Sequence, residues 1–385
     1  ILQNAYFHVG SPIPGSDGTF AEANKNVINM YLQKSATKDV VAAIAGNVAS
    51  ANIQMQEQDG ANKYMNMQFG STNEGEQSFL QDTDITFTTG ENTLSVVGIT
   101  KISDSHLKFD GASTVSMGMT PTGYNSTSAI VDDDSTVYFD NVTLELSSSG
   151  GAMYLQGADN FAHTLDVING VKGSITLGSR NDVISYSTGT NVDGVCTINM
   201  GAGNDSVSLT EGTGKVAPHI YMGEGADTIN INGMSSVSWA YNGGAGTDWL
   251  IGMGGLGTEL EGMGKNGLKL NGYLGSEIEY FDLSAGRNEG ESFLLQFTGA
   301  SAIQSSDASS FAYTVTLADG STQTFNDNAA RIIGKEGDSF VLDDNWTLLG
   351  TTAAITDADG KSRTYYVLQV TDQHSGENRR ILLDT

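Results

Sequence analysis

The stretch Met200-Gly-Ala-Gly-Asn-Asp205, followed by Met222-Gly-Glu-Gly-Ala-Asp227 and Gly243-Gly-Ala-Gly-Thr-Asp248, repeats one pattern in which a glycine-rich turn leads into an aspartate. With Leu177-Gly-Ser-Arg-Asn-Asp182 ahead of them, the aspartates recur at steps of 23, 22 and 21 residues. Beyond each Asp, apolar residues stand two and four positions on: Ile184 and Tyr186, Val207 and Leu209, Ile229 and Ile231, then Leu250. That alternation belongs to a strand that buries one face. A step of ~22 residues with two or three short strands per step predicts an all-β chain wound as a right-handed parallel β-solenoid, because each rung must return to the same place one strand spacing higher.

Outward from this centre the pattern extends back to Gly157-Ala-Asp159 and forward to Gly262-Met-Gly-Lys-Asn266, with Leu268 and Leu270 following. Short alternating runs such as Thr93-Leu-Ser-Val-Val97 and Val142-Thr-Leu-Glu-Leu146 carry the β reading over 56–285. Cys196 shares a strand face with Ile198 and Met200 and reads as a small buried hydrophobe. Before this region, Thr19 and Glu22 have capping-box spacing. Val27, Ile28, Tyr31 and Leu32, then Val40, Val41, Ile44 and Val48, fall at helical spacing, so residues 1–55 are expected to form a helical N-terminal cap or docking region. After it, hairpin signals at Ala318-Asp-Gly320, Asp357-Ala-Asp-Gly360 and His374-Ser-Gly-Glu377 predict a small antiparallel β-domain over 286–385.

Composition limits the function classes. Against 45 Asp and Glu stand 18 Lys and Arg, a net charge of −27 that repels phosphate backbones and anionic headgroups, so nucleic-acid binding is excluded. With 48 Gly but 4 Pro the chain is turn-rich without the make-up of a disordered linker. A single Cys forms no internal disulfide. The most apolar stretch, Asp39 to Ile53, is interrupted by Gly46, Asn47 and Ser50, so no membrane insertion is expected. The first residue is Ile1 and no basic segment followed by an apolar one stands at this end, which gives the expectation of a processed chain or a fragment.

If rungs stack ~4.8 Å apart, Asp159, Asp182, Asp205, Asp227 and Asp248 form a column of carboxylates. Bare neighbours in it repel by ~0.9 kcal/mol in water and by several-fold more at a protein surface. Two arrangements relieve this. In the first, a hard cation sits in the column: glycines let backbone carbonyls turn toward one point, the carboxylates add oxygens, and calcium takes six to eight such ligands. In the second, Asp and Asn side chains hydrogen-bond from rung to rung without metal. Asp357-x-Asp359-Gly360 lacks the terminal Glu of a calcium loop and reads as a hairpin turn, and Asp132-Asp133-Asp134 as a solvated loop.

Gly243 to Asp248 with Leu250 resembles the Gly-Gly-x-Gly-x-Asp nonapeptide of the repeats-in-toxin (RTX) family, and Gly201–Asp205 and Gly223–Asp227 match it in all but the first Gly. The resemblance implies calcium held by Asp182, Gly201, Gly203, Asn204, Asp205, Gly223, Gly225, Asp227, Gly244, Gly246 and Asp248. The departures are a single binding loop per rung, Arg180 in place of the second Gly in the first rung, and Lys265 with Asn266 at the far end, which would close the column. A second resemblance covers about 275–385. Glu277-Ile-Glu-Tyr-Phe-Asp-Leu283, Gly337-Asp-Ser-Phe-Val-Leu342, Trp346-Thr-Leu-Leu-Gly350, Tyr365-Tyr-Val-Leu368 and Ile381-Leu-Leu-Asp384 look like a module of type I secreted bacterial surface adhesins. It implies a secreted or cell-surface protein whose repeats fold on meeting extracellular calcium.

The functional expectation is therefore a non-enzymatic, self-assembling structural protein of a bacterial surface layer, filament or biofilm matrix, with copies of itself as partners. The alternative is a glycan-binding adhesin or a carbohydrate-active β-helix, with Trp239, Tyr241 and Trp249 lining a sugar groove. His8, His106, His163, His219 and His374 have no metal or triad spacing and read as surface or packing residues.

Overall fold

The computed structural model describes strand segments of residues 6–146 and most of the chain beyond: 152–189 without 158, 160 and 171, then 194–214, 217–234, 240–253, 258–259, 266–270, 275–298 without 286, 288 and 290, 310–371 and 376–384. Among these residues there is no α-helix, and most strand pairing is parallel. The chain divides into two compact units, Ile1–Gly201 with Glu211–Pro218, and Ala202–Thr210 with His219–Thr385.

In the first unit, successive strands alternate between two parallel series. One runs Tyr6–Phe7, Val40–Ile44, Met65–Phe69, Asn92–Val96, Thr114–Met117, Ala152–Gln156, Lys172–Thr176 and Cys196–Asn199. The other runs Asn26–Leu32, Val48–Glu57, Ser78–Phe87, Ile99–Phe109, Tyr138–Leu146, Thr164–Gly170 and Val183–Thr188. Such alternation is consistent with a β-solenoid. The register stacks like on like: Ile53, Ile85, Leu107, Leu144, Val167 and Tyr186 are successive partners and all are buried. In the other series, Leu155, Ile175 and Ile198 repeat the device. Each buried aliphatic residue contributes about 1.5–3 kcal/mol, so the stack and not local propensity holds these short strands.

The expected helical cap is absent. Asn26–Leu32 is a strand parallel to Val48–Glu57, with Ile28 opposite Ile53 and Met30 opposite Met55, and Val40–Ile44 is parallel to Met65–Phe69. Ile28, Met30 and Leu32 also alternate with period two, and Val40, Val41 and Ile44 are β-branched, so both periods are present and the one that pairs with a neighbouring strand prevails. Thr19 and Glu22 lie outside the described residues.

The long strands Ser78–Phe87, Ile99–Phe109 and Tyr138–Leu146 each contain a left-handed residue, Asp82 and Asp104 (φ 47°) and Asn141 (φ 55°), at matching register. Asp and Asn adopt this conformation at lower cost than other non-glycine residues. Asn141 Nδ2 also donates to Asp104 Oδ1 at 3.0 Å, fixing one bend above another.

In the second unit, Val207, Ile229, Leu250, Phe281, Ile332 and Leu383 are successive buried partners in parallel strands. Leu268, Leu295 and Phe340 are successive partners in another sheet, with Leu295 buried and the other two half-buried. The hairpin signals are realised beside this stack: Phe311–Leu317 pairs antiparallel with Thr322–Asp327 and with Trp346–Thr352, which pairs with Tyr366–Thr371, and that strand with Asn378–Asp384. Tyr280, Tyr313, Val315, Tyr365, Val367 and Leu382 are buried together there. The side chains of Arg287 and Asp338, both fully buried, form a bidentate pair at 2.7 and 2.8 Å, with the guanidinium 4.4 Å from the Phe293 ring centre.

Candidate functional site

Each repeat aspartate stands immediately before a strand, at the point where the chain turns inward, and its side chain enters the interior. Asp182 is 0% exposed, Asp205 2%, Asp227 1% and Asp248 1%. Buried carboxylates require hydrogen-bond donors, and here the backbone of the neighbouring turn supplies them. In the second unit Asp227 Oδ1 accepts the Asp205 N–H at 2.6 Å, Asp248 Oδ1 the Asp227 N–H at 2.9 Å, and Glu279 Oε2 the Asp248 N–H at 2.7 Å. Asn204 works in the opposite sense, its Oδ1 accepting the Ala226 N–H at 2.9 Å. In the first unit Asp182 Oδ1 accepts the His163 N–H at 2.7 Å, and His163 Nδ1 accepts the Phe139 N–H at 3.1 Å. Ser105 Oγ accepts the Thr83 N–H at 3.2 Å in the same way. The rung-to-rung ladder is thus present, with acceptors of four chemical kinds.

Three corrections to the sequence column follow. Asp159 is exposed and outside the ladder; its carbonyl accepts from Ser179 N at 3.2 Å and Oγ at 2.8 Å. The register places His163 opposite Asp182, so this buried histidine holds the position that Asp159 was expected to hold. At the other end Asn266 begins a strand of a different sheet, and the partner of Asp248 is Glu279. One signal for Glu279 was in the sequence: Glu279-Tyr-Phe281 repeats the acid–aromatic–apolar order of Asp248-Trp-Leu250.

The motif glycines serve close stacking. Gly201, Gly203, Gly223, Gly225, Gly244 and Gly246 all have positive φ. The tightest positions are Gly225 and Gly246: a Cβ on Gly225 would stand 1.5 Å from Gly203 O, and one on Gly246 1.5 Å from Gly225 O. Their carbonyls are directed along the stack, where Gly225 O accepts the Thr247 N–H at 3.2 Å.

Burial dominates the electrostatics. It pushes the Asp182 carboxyl up to about 6 against the opposing N–H groups of His163 and Gly178. It raises Asp227 against the Asp205 N–H. Asp248 is pushed up to about 7, by burial first and then by the charges of Glu279, Asp227 and Glu277, against the Asp227 N–H. Burial also raises Glu279, opposed by backbone N–H groups and by Arg331.

A hard cation needs oxygens that are not already engaged. Asp227 Oδ2, Asp248 Oδ2 and Glu279 Oε1 are buried and accept no hydrogen bond, and they fit such an ion. The motif carbonyls fit it less well, being turned to the next rung. Among the described residues no three His, Cys, Asp or Glu side chains converge as a metal cage.

The other candidates are placed as follows. Tyr241, expected to line a sugar groove, is fully buried; Trp249 is half-buried and stacked on Tyr280 at 4.2 Å and 7°; Trp239 lies outside the described residues. Asp357 lies in the turn of the hairpin Ile355–Thr356/Ser362–Arg363, as expected, but its buried carboxylate also takes Arg363 Nη1 at 2.7 Å and the hydroxyls of Tyr365 and Tyr280. Asp359 is engaged by Arg363 at 2.7 Å. His106 faces Glu145 at 3.1 Å. His8, His374 and Asp132–Asp134 lie outside the described residues. No protein-family model, no curated protein and no solved structure matches the chain.

Proposed function

We propose that the chain is a secreted structural protein of a bacterial surface or matrix: a right-handed β-solenoid that assembles with copies of itself and acts through its stiffness, not through catalysis. The carrying observation is the ladder. Its carboxylates are almost wholly buried, so no substrate reaches them, and what they contact is the backbone of the adjacent turn. Carboxylates used in this way are devices of stacking. A parallel stack of this kind repeats one surface many times, which suits a spacer or a lattice component.

Calcium belongs to the same proposal. Bound beside Asp227, Asp248 and Glu279, it would offset the cost of holding charged carboxylates there, a cost that shows as the upward push of burial on all three. This chain's residues would supply the rigid, dry oxygens, and the extracellular medium would supply the ion. Negative-stain electron microscopy of the purified chain, in calcium and in chelator, tests the reading. Filaments or sheets that form in calcium and disperse in chelator support it. Discrete monomers under both conditions, together with binding on a glycan array, support the adhesin instead.

A further inference from the structure

From Asn266 on, the second unit alternates between two parallel stacks. Asn266–Leu270, Leu294–Phe297 and Ser339–Leu342 are successive partners in one, and Tyr280–Asp282, Ala330–Ile333 and Asn378–Asp384 in the other. The two stacks finish differently. Asn378–Asp384 is covered on its far side by the antiparallel strand Tyr366–Thr371. Ser339–Leu342 pairs with Leu294–Phe297 alone, so among the described residues its other edge is open. The Ser339 and Asp343 N–H groups donate inward, to the carbonyls of Phe293 and Phe297 at 3.0 and 3.1 Å. Alternate residues of a strand direct their backbone groups to opposite sides, so the N–H and C=O of Phe340 and Leu342 point out along the open edge.

Open edges are ordinarily blunted by charge, proline, a bulge or a covering segment. Another edge strand of this unit, Thr322–Asp327, follows that rule: Thr322, Gln323 and Thr324 are exposed and the strand closes on Asp327. Ser339-Phe-Val-Leu342 does not. It carries no charge, and Phe340, Val341 and Leu342 are all half-buried. Apolar surface lies beside it. The Phe340 ring is 5.2 Å from that of Tyr366, which is 37% exposed. Leu348, 43% exposed, is the cross-strand partner of Leu368, which shares a strand face with Tyr366.

Charge and symmetry select the occupant. A net charge of −27 makes two copies of the chain repel over most approaches, whereas along this edge they meet with no charge inside the contact. The edge is also complementary to itself. A two-fold axis at Val341 sets Phe340 opposite Leu342 in antiparallel register, and each such pair of outward-facing residues exchanges both N–H···O bonds. At the margin, Asp344 falls opposite Asp338, whose charge is already taken up by Arg287.

We propose that Ser339–Leu342 is the seam of a two-fold dimer of this chain, formed by antiparallel pairing of this edge with its own copy and flanked by Leu348 and Tyr366. The choice of partner rests on the proposed self-association. The seam adds the surface and its symmetry: an isologous contact closes at two copies, so the dimer is the unit of any larger assembly, and growth beyond it uses a different surface. A four-residue edge with few flanking side chains falls near or below the ~1,200 Å² of ordinary stable interfaces, so the dimer is expected to dissociate on the order of 10 µM.

Sedimentation velocity of the full chain in chelator, from about 1 to 200 µM and at low and moderate salt, tests this. A monomer–dimer equilibrium is expected, strengthened by salt that screens the net negative charge. Leu348→Glu, at an exposed position, should weaken it at least about tenfold without lowering the melting temperature. Hydrogen exchange on the wild type provides a second readout: the peptide spanning Phe340 and Leu342 should gain protection at the higher concentration. A dimer that Leu348→Glu leaves intact, with no added protection at this strand, would overturn the seam while leaving self-association through another surface. Filaments or sheets in calcium from a chain that stays monomeric in chelator, again without protection here, would do the same. Monomers in every buffer and at every concentration would overturn both the seam and the self-assembling reading.

Discussion

Asp248 Oδ1 accepts the backbone N–H of Asp227 at 2.9 Å, so the first residue of one turn's inward bend is capped by the side chain of the next turn's. The same bond recurs from Asp205 to Asp227 and from Asp248 to Glu279. An N–H at such a bend lies outside the regular ladder of strand hydrogen bonds and would otherwise be buried without an acceptor. This requirement explains why an acid or another acceptor recurs at this point.

Replacing Asp248 separates its two roles. Asp248→Ala leaves the Asp227 N–H buried without its acceptor and is expected to cost about 1–3 kcal/mol. Asp248→Asn keeps an acceptor and removes a buried charge, so in chelator it should unfold at the same denaturant concentration as the wild type or a higher one. Urea titrations followed by circular dichroism read both.

Gly246→Ala should be among the most damaging single changes. Its Cβ would meet Gly225 O at 1.5 Å, and φ at this residue is 150°. A loss on the order of 4 kcal/mol is expected, from backbone strain and the forced separation of two turns. The control is Gly320→Ala, at a turn where nothing lies within 4 Å, although φ there is 83°. Its cost should be confined to backbone strain, about 1 kcal/mol.

The Arg287–Asp338 pair gives an acid limb. Burial alone would raise the Asp338 carboxyl, but the Arg287 guanidinium and the N–H groups of Phe293 and Lys335 outweigh it and hold the group below its ordinary range. A carboxyl depressed on folding adds stability above its unfolded pKa, and that stability is lost as pH falls through the folded value. The melting temperature should therefore drop below about pH 4. Arg287→Met leaves the carboxylate buried and unpaired, should cost about 3–5 kcal/mol at neutral pH, and should remove this part of the acid dependence.

Cys196 should be inert while the chain is folded. Burial pushes its thiol up to about 12 against the opposing hydrogen bond with Tyr186, and the residue is 2% exposed. A thiol-reactive dye added at pH 8 should react only as fast as the chain opens, and at once in concentrated urea. Rapid labelling of the native protein would contradict the packing of the strand Cys196–Asn199.

The strands around the repeat were legible because the Asp marks their entry and alternation marks their buried face: Ile184, Tyr186, Val207, Leu209, Ile229, Ile231 and Leu250 are all inside. The N-terminal strands were not, since Val27, Ile28, Tyr31 and Leu32 satisfy a helical spacing that only pairing with Val48–Glu57 overrides. His163 was hidden because an imidazole Nδ1 does the work of a carboxylate oxygen without looking like one. Glu279 was hidden because it lies 31 residues beyond Asp248 and no Gly-x-Gly turn precedes it. Whether the Asp carboxylates faced a cation or the backbone depended on the direction of the glycine carbonyls, which spacing does not encode.

The most direct test of the account is a thermal melt of the full chain in millimolar calcium, in millimolar magnesium and in excess chelator. The account predicts a melting temperature at least about 10 °C higher in calcium than in chelator, with magnesium giving little of that rise. Superimposable curves in the three buffers would contradict it, leaving a ladder that holds its turns together by hydrogen bonds alone.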